Sequence, residues 1–187
     1  MDLPEHVYAS VLLHRSVPNE KSGVMVATNL DTGSRDEITV VTNTGVSGGV
    51  DGQAAETLRI SLKSGAVVLL ASDTARTRRV LVVEGGARQV PGEAPEYVLT
   101  AAEIGQLLEF VRTFPKDYPG LRDAEGQPAP ADIEFGFVGG RLMLLQIRPF
   151  VQNARASRNQ YLVELDAGLR KTRDRKVDLR AVPGGPS

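Results

Sequence analysis

Residues 132–150 constrain this 187-residue chain more tightly than any other stretch. They read as two alternating segments, Asp132–Val138 and Leu142–Phe150, meeting at Gly139-Gly140. Side chains along a strand alternate between its two faces. Asp132 and Glu134 therefore share one face, with Ile133, Phe135 and Phe137 on the other. In the second segment Gln146 and Arg148 share a face opposite Met143, Leu145 and Ile147. Paired glycines suit a tight hairpin turn. An odd-length loop would set Glu134 beside Gln146, and Asp132 and Arg148 on that same face. An even loop would put the two polar pairs on opposite faces and waste the apolar alternation.

The rest of the first 150 residues reads as strands around one helix. Val7–Arg15, Gly23–Thr28 and Ile38–Thr42 are rich in β-branched and other apolar residues and bounded by turn formers. Asn29-Leu30-Asp31-Thr32-Gly33 has turn composition. Further strands are predicted at Thr57–Leu62, Ala66–Ala71 and Arg79–Val83, the last stopping at Gly85-Gly86, with proline-bearing loops over Val90–Pro95. From Thr100 the period changes. Thr100 and Glu103 form a capping box, and Ile104, Leu107, Leu108 and Val111 recur at helical spacing. Phe114-Pro115 is expected to end that helix, and residues 119–130 form a polar, proline-containing loop. A second helix is predicted over Arg155–Arg173, with Tyr161, Leu162 and Leu165 on one face, ahead of a charged and then Gly/Pro-rich tail. The fold class is α+β, mainly antiparallel sheet with one or two packed helices, divided as residues 1–151 and 152–187.

Composition removes several kinds of function. A net charge of -1 gives no field for nucleic acid or an anionic membrane. The absence of cysteine excludes disulfides, thiol catalysis and thiolate-bound metal. Two histidines, His6 and His14, argue against a histidine-rich metal site. No apolar run approaches the roughly 20 residues that span a bilayer, and the first residues do not read as a signal peptide. The default expectation is a soluble, cytoplasmic protein.

On the hairpin, two carboxylates, one amide oxygen and one guanidinium converge on a single patch. Hard oxygen ligands of this kind suit Mg2+, which keeps water and substrate phosphates in its shell. An arginine fork suits a phosphoryl group in transfer. On these residues alone, a salt-bridged, solvated hairpin face is the commoner reading, and the pattern permits the metal-phosphate chemistry without being diagnostic of it.

The run Asp132-Ile133-Glu134-Phe135 followed by Leu144-Leu145-Gln146-Ile147-Arg148-Pro149 resembles the end of the ATP-grasp domain in the phosphoenolpyruvate synthase and pyruvate phosphate dikinase family. The upstream stretch Ser22-Gly23-Val24-Met25-Val26-Ala27-Thr28-Asn29-Leu30-Asp31-Thr32-Gly33 is similar to a second segment of that family. Together the two span about Val7 to Phe150. The resemblance implies the C-terminal half of an ATP-grasp domain that binds ATP and Mg2+. Glu134, Gln146 and Asp132 would hold the metal, and Arg148 would contact the phosphates, with Asp132 beside it in the catalytic group. Gly45, Gly48 and Gly49 would lie in the phosphate-facing glycine loop, their backbone N–H groups cradling the nucleotide.

Departures from the family pattern bear on that reading. Val46-Ser47-Gly48-Gly49 stands where the family has a glutamate, with Glu56 shortly downstream, and His14 replaces a glutamine of the first strand. His6 and His14 match no phosphohistidine motif and read as structural or surface residues. Arg76, Arg78 and Arg79 read as a solvated strand face. The N-terminal half of the ATP-grasp domain and the phosphohistidine domain are not in the sequence, so they would act in cis or in trans. The chain is then expected to be part of a phosphotransferase that passes the β-phosphoryl of ATP to a histidine elsewhere, inactive alone. The alternative is a degenerate nucleotide-binding or protein-interaction module.

Overall fold

In a computed structural model of the chain, residues 11, 15–46, 55–93, 95–118, 120–123, 125–151 and 160–170 are described. The strand expected over Val7–Arg15 therefore lies almost entirely outside the described residues, as do His6, His14, Gly48, Gly49 and the tail beyond Arg170. The chain divides into two compact units, Met1–Phe150 and Val151–Ser187. Its described part is mostly antiparallel β-sheet with two helices, an α+β arrangement.

In the first unit the elements run β1 (Lys21–Val26), β2 (Glu37–Thr44), β3 (Glu56–Ser61), β4 (Val67–Ala71), β5 (Thr77–Leu81), β6 (Ala87–Pro91), α1 (Ala101–Asp117), β7 (Ala131–Val138) and β8 (Arg141–Pro149). Six strands form one sheet in the order β4-β3-β2-β1-β7-β8, and β5 pairs with β6 separately. The alternation of β1, β2, β3 and β7 sends Met25, Ile38, Val40, Leu58, Ile60, Ile133, Phe135 and Phe137 to one face, where all are buried. Helix α1 closes over the same core with Leu107, Leu108, Val111 and Phe114, a spacing that lines one side of a helix. The other face of the sheet carries Glu134 and Asp132 on β7, paired with Val24 and Val26 of β1.

The start of α1 is fixed as its sequence requires. The Thr100 side chain accepts from the Glu103 N–H, and the Glu103 carboxylate accepts from the Thr100 N–H at 2.7 Å. Lys21 of β1 donates to the same carboxylate oxygen at 2.7 Å, tying helix to sheet. Burial alone would raise the Glu103 carboxyl. Hydrogen bonds from Lys21 and Thr100, with the Lys21 charge, outweigh it and hold the group below its ordinary value. A lowered folded pKa contributes stability that is complete above the unfolded pKa and is lost as pH falls through the folded one. The stability difference between the native protein and Lys21→Met, followed by urea unfolding, is therefore expected to be largest near neutrality. It should shrink as the pH is taken below the usual glutamate range, and a difference that grew there would contradict this account.

Two expectations are corrected. Gly85-Gly86 follows the end of β5, as expected, but it also turns the chain into β6, which reaches into the expected proline-bearing loop over Val90–Pro95. Gly85 and Gly86 take φ of 103° and 81°, which only glycine adopts cheaply, and Pro91 ends the strand at an edge, where a missing N–H is tolerated. Helix α1 runs through Pro115 to Asp117. The proline lies in the final turn, where its missing N–H removes only one hydrogen bond and the Tyr118 N–H still reaches the Phe114 carbonyl at 2.9 Å. In the second unit, α2 (Gln160–Arg170) forms within the expected Arg155–Arg173 span, and its Tyr161 and Leu165 are exposed. Among the described residues, no helix is long and apolar enough to cross a membrane.

Candidate functional site

The β7–β8 hairpin brings the four polar residues together by a route different from the expected one. Its loop is even: Gly139 and Gly140, at φ of 56° and 72°, make a two-residue turn with Val138 opposite Arg141. This register continues through Phe137–Leu142 and Phe135–Leu144, and then shifts between Glu134 and Phe135. Leu145 is the extra residue of a β-bulge, which restores phase on the far side. Beyond it Glu134 faces Gln146, Ile133 faces Ile147 and Asp132 faces Arg148. The bulge also corrects the expected apolar face of β8. Leu142 and Ile147 pack against the core, whereas Met143 is 37% exposed and Leu145 lines a cavity beside Glu134 and Gln146.

The turn is itself anchored from α1 and from the chain before β1. The Gln106 amide donates to the Gly140 carbonyl at 2.7 Å and accepts from the Leu142 N–H at 3.0 Å. The Gly139 N–H donates to the Glu20 carboxylate at 3.2 Å. These bonds hold a hairpin whose second strand is largely exposed.

Within the site, Arg148 Nε donates to Asp132 Oδ2 at 2.7 Å. That hydrogen bond, the Asp132 charge and the weaker attraction of Glu134 raise the guanidinium above its ordinary value against a slight effect of burial. Asp132 is buried, and its second oxygen, Oδ1, has no hydrogen-bond partner among the described residues. Glu134 is half-buried and Gln146 exposed. Asp132 thus orients the arginine, while Glu134 and Gln146 lie side by side one step along the strands.

Glu134 and Gln146 form part of the wall of a cavity of about 360 Å³. Leu81 and Ala87 of the β5–β6 hairpin line it, as do Asn19, Ser22 and Val46. Sequence reasoning did not single out Asn19, Leu81 or Ala87, because each reaches the cavity from an element far away in the chain. Asn19 is buried, with Oδ1 unpartnered among the described residues. It packs flat against Gly136, where a Cβ would overlap its carboxamide.

Gly45 sits at the entrance to the glycine-rich segment with φ of 89°. Its N–H donates to the Glu20 carbonyl at 2.6 Å, its carbonyl accepts from the Ser22 hydroxyl, and a Cβ there would overlap the Arg79 carbonyl. With its N–H already used, Gly45 serves close approach of β5 to the end of β2 rather than presenting a donor to a ligand. Glu56 does not substitute for a loop glutamate. It is buried on the core face, accepting from the Val98 and Leu99 N–H groups at 2.8 and 3.0 Å. Arg59, which lies on the open face, is held loosely between Asp31 at 3.6 Å and Glu37 at 3.9 Å.

Among the described residues no group of three or more histidine, cysteine, aspartate or glutamate side chains is placed to hold a metal ion. The oxygen donors at hand are two carboxylates and one amide, a set that suits a hard cation completed by water and phosphate oxygens rather than a fully protein-built cage. A comparison with curated proteins found no match. The family model of the pyruvate phosphate dikinase AMP/ATP-binding domain matches residues 1–167, which include all four hairpin residues and the cavity wall. The chain therefore belongs to the pyruvate phosphate dikinase AMP/ATP-binding domain family.

Proposed function

We propose that the open face of β7 and β8 is the Mg-ATP-facing side of an ATP-grasp cleft and that this chain supplies its C-terminal half. The observation that carries the reading is the bulge at Leu145, which sets Glu134 opposite Gln146 on a cavity wall while Asp132 holds Arg148. Glu134 and Gln146 would bind Mg2+, with Asp132 beside them holding Arg148 in position. The metal, when bound, neutralises phosphate charge and orients the phosphate chain. Arg148 would contact the phosphates as a charged donor fork, kept in place and fully protonated by Asp132.

On this reading the chain is part of a phosphoenolpyruvate synthase- or dikinase-like phosphotransferase acting in the cytoplasm. The β-phosphoryl of ATP passes to a histidine on another domain, and the N-terminal half of the cleft comes in cis or in trans. The chain alone is then expected to bind Mg-ATP weakly and to cleave none. Calorimetric titration of the chain with ATP, with and without Mg2+, tests this. Glu134→Ala and Gln146→Ala should each weaken metal-dependent binding about tenfold, roughly 1.4 kcal/mol. Metal-dependent binding of undiminished strength in the double variant would sink the assignment.

A further inference from the structure

A second cavity, of about 430 Å³, is bounded by the last turns of α1 and the residues that lead into β7. It exists because small residues stand where the core runs out. Ala27, Gly120, Ala129 and Ala131 line it, and Val111 and Phe114 of α1 carry the apolar surface of the core into it. The Ala27 N–H donates to the Ala131 carbonyl at 2.8 Å, which fixes two of these small residues to one another. A cavity of this size and lining suits a small organic molecule rather than an ion or a single water. Phe114 and Tyr118 bring two rings to it, stacked with centroids 5.4 Å apart.

The charged side chains on its walls are of one sign. Arg35, just ahead of β2, and Arg122, ahead of β7, both line it, and among the described residues no carboxylate does. A backbone carbonyl orients each guanidinium. Arg35 Nη2 donates to the Pro128 carbonyl at 2.9 Å, and Arg122 Nη1 donates to the Gly126 carbonyl at 2.6 Å. A guanidinium has five N–H donors, so each arginine keeps donors for an acceptor brought by a ligand. The acidic neighbours in sequence are engaged elsewhere. Lys63 holds Asp36 at 2.7 Å, and Asp123 accepts from the Glu125 and Gln127 N–H groups. The C-terminal end of α1 adds a partial negative charge, but Lys116 lies in its last turn. Apolar walls with two exposed cationic forks complement a molecule that has an apolar body and an anionic end.

We propose that this cavity binds a small aryl-alkyl carboxylate, with its ring against Phe114 and Tyr118 and its carboxylate held by Arg35 and Arg122. The site is separate from the hairpin face and does not depend on the Mg-ATP reading. Ala131 packs with the core, whereas the next residue, Asp132, turns the other way to meet Arg148.

The test uses phenylbutyrate and its neutral counterpart phenylbutanol, each titrated into the full, isotope-labelled chain and followed by amide NMR. Both should bind saturably and shift the amides of Leu121, Ala129 and Ala131, with the acid about fivefold tighter. Arg35→Gln combined with Arg122→Gln should bring the acid down to the affinity of the alcohol and leave the alcohol unchanged. Alcohol binding thereby reports that the cavity is still formed in that variant. Ala129→Leu fills the cavity and should abolish binding of both probes. The comparison of acid with alcohol in the native chain decides the matter even if a variant fails to fold. Shifts that do not saturate, or that centre on other residues, overturn the site. An alcohol that binds as tightly as the acid, or arginine variants that lose both probes equally, overturn the carboxylate assignment.

Discussion

Replacing Phe135 by alanine is expected to lower the unfolding free energy by about 4 kcal/mol, the range for truncating a fully buried aromatic. Phe135 is completely buried at the centre of the core. Its ring meets Phe137 edge-on, with centroids 5.8 Å apart and planes at 81°, an arrangement favoured by the ring quadrupoles. On the neighbouring strand it faces Gly23, where even a Cβ would press on the ring. That fit leaves little freedom for the surroundings to collapse into the space vacated, and this places the cost toward the upper end. A shift of the urea midpoint without a change in slope is the expected signature. A loss under about 1 kcal/mol would mean that the sheet and α1 do not pack as described. Because domains of this size are stable by only about 5–15 kcal/mol, the variant should also unfold at a markedly lower temperature.

The second large effect concerns Glu56. Its carboxylate is buried, yet it is the hydrogen-bond partner of the Val98 and Leu99 N–H groups just ahead of α1, with the Thr42 hydroxyl 3.5 Å away. Glu56→Ala would strand two buried donors at about 1.5 kcal/mol each, or about 3 kcal/mol in all. Glu56→Gln keeps one acceptor and should lose about half of that. Affinity for Mg-ATP, measured far below the melting temperature, should be unaffected by either change. A selective loss of nucleotide affinity at full stability would return Glu56 to the site and contradict its structural placement.

That contrast illustrates what a residue's surroundings add to its identity. Glu56 and Glu134 are both acidic residues on strands beside family-like motifs. They differ in the face to which each is turned, and β3 turns Glu56 toward the core while β7 turns Glu134 toward the open side. The places of most strands (to within about two residues), the capping box of Thr100 and Glu103 and the core positions of α1 were legible because each depends on neighbours close in the chain. Strand β6 was not, because glycine pairs mark both the end of a strand and the turn of a hairpin, and only pairing decides between them.

The opening hairpin shows the same division most clearly. By itself the sequence determined two demands: a Gly139-Gly140 turn, and polar residues that must share a face across it. These demands conflict, since a two-residue turn sets the strands one residue out of phase for Glu134 and Gln146. Tertiary structure resolved the conflict by bulging out Leu145, because burying Ile133, Phe135 and Ile147 on one side and pairing Asp132 with Arg148 on the other outweighs one unpaired residue in the ladder. The placement of Asn19 on Gly136 likewise belongs to the tertiary level. No local pattern connects residues so distant in the chain, and only the close approach permitted by a missing Cβ brings them together.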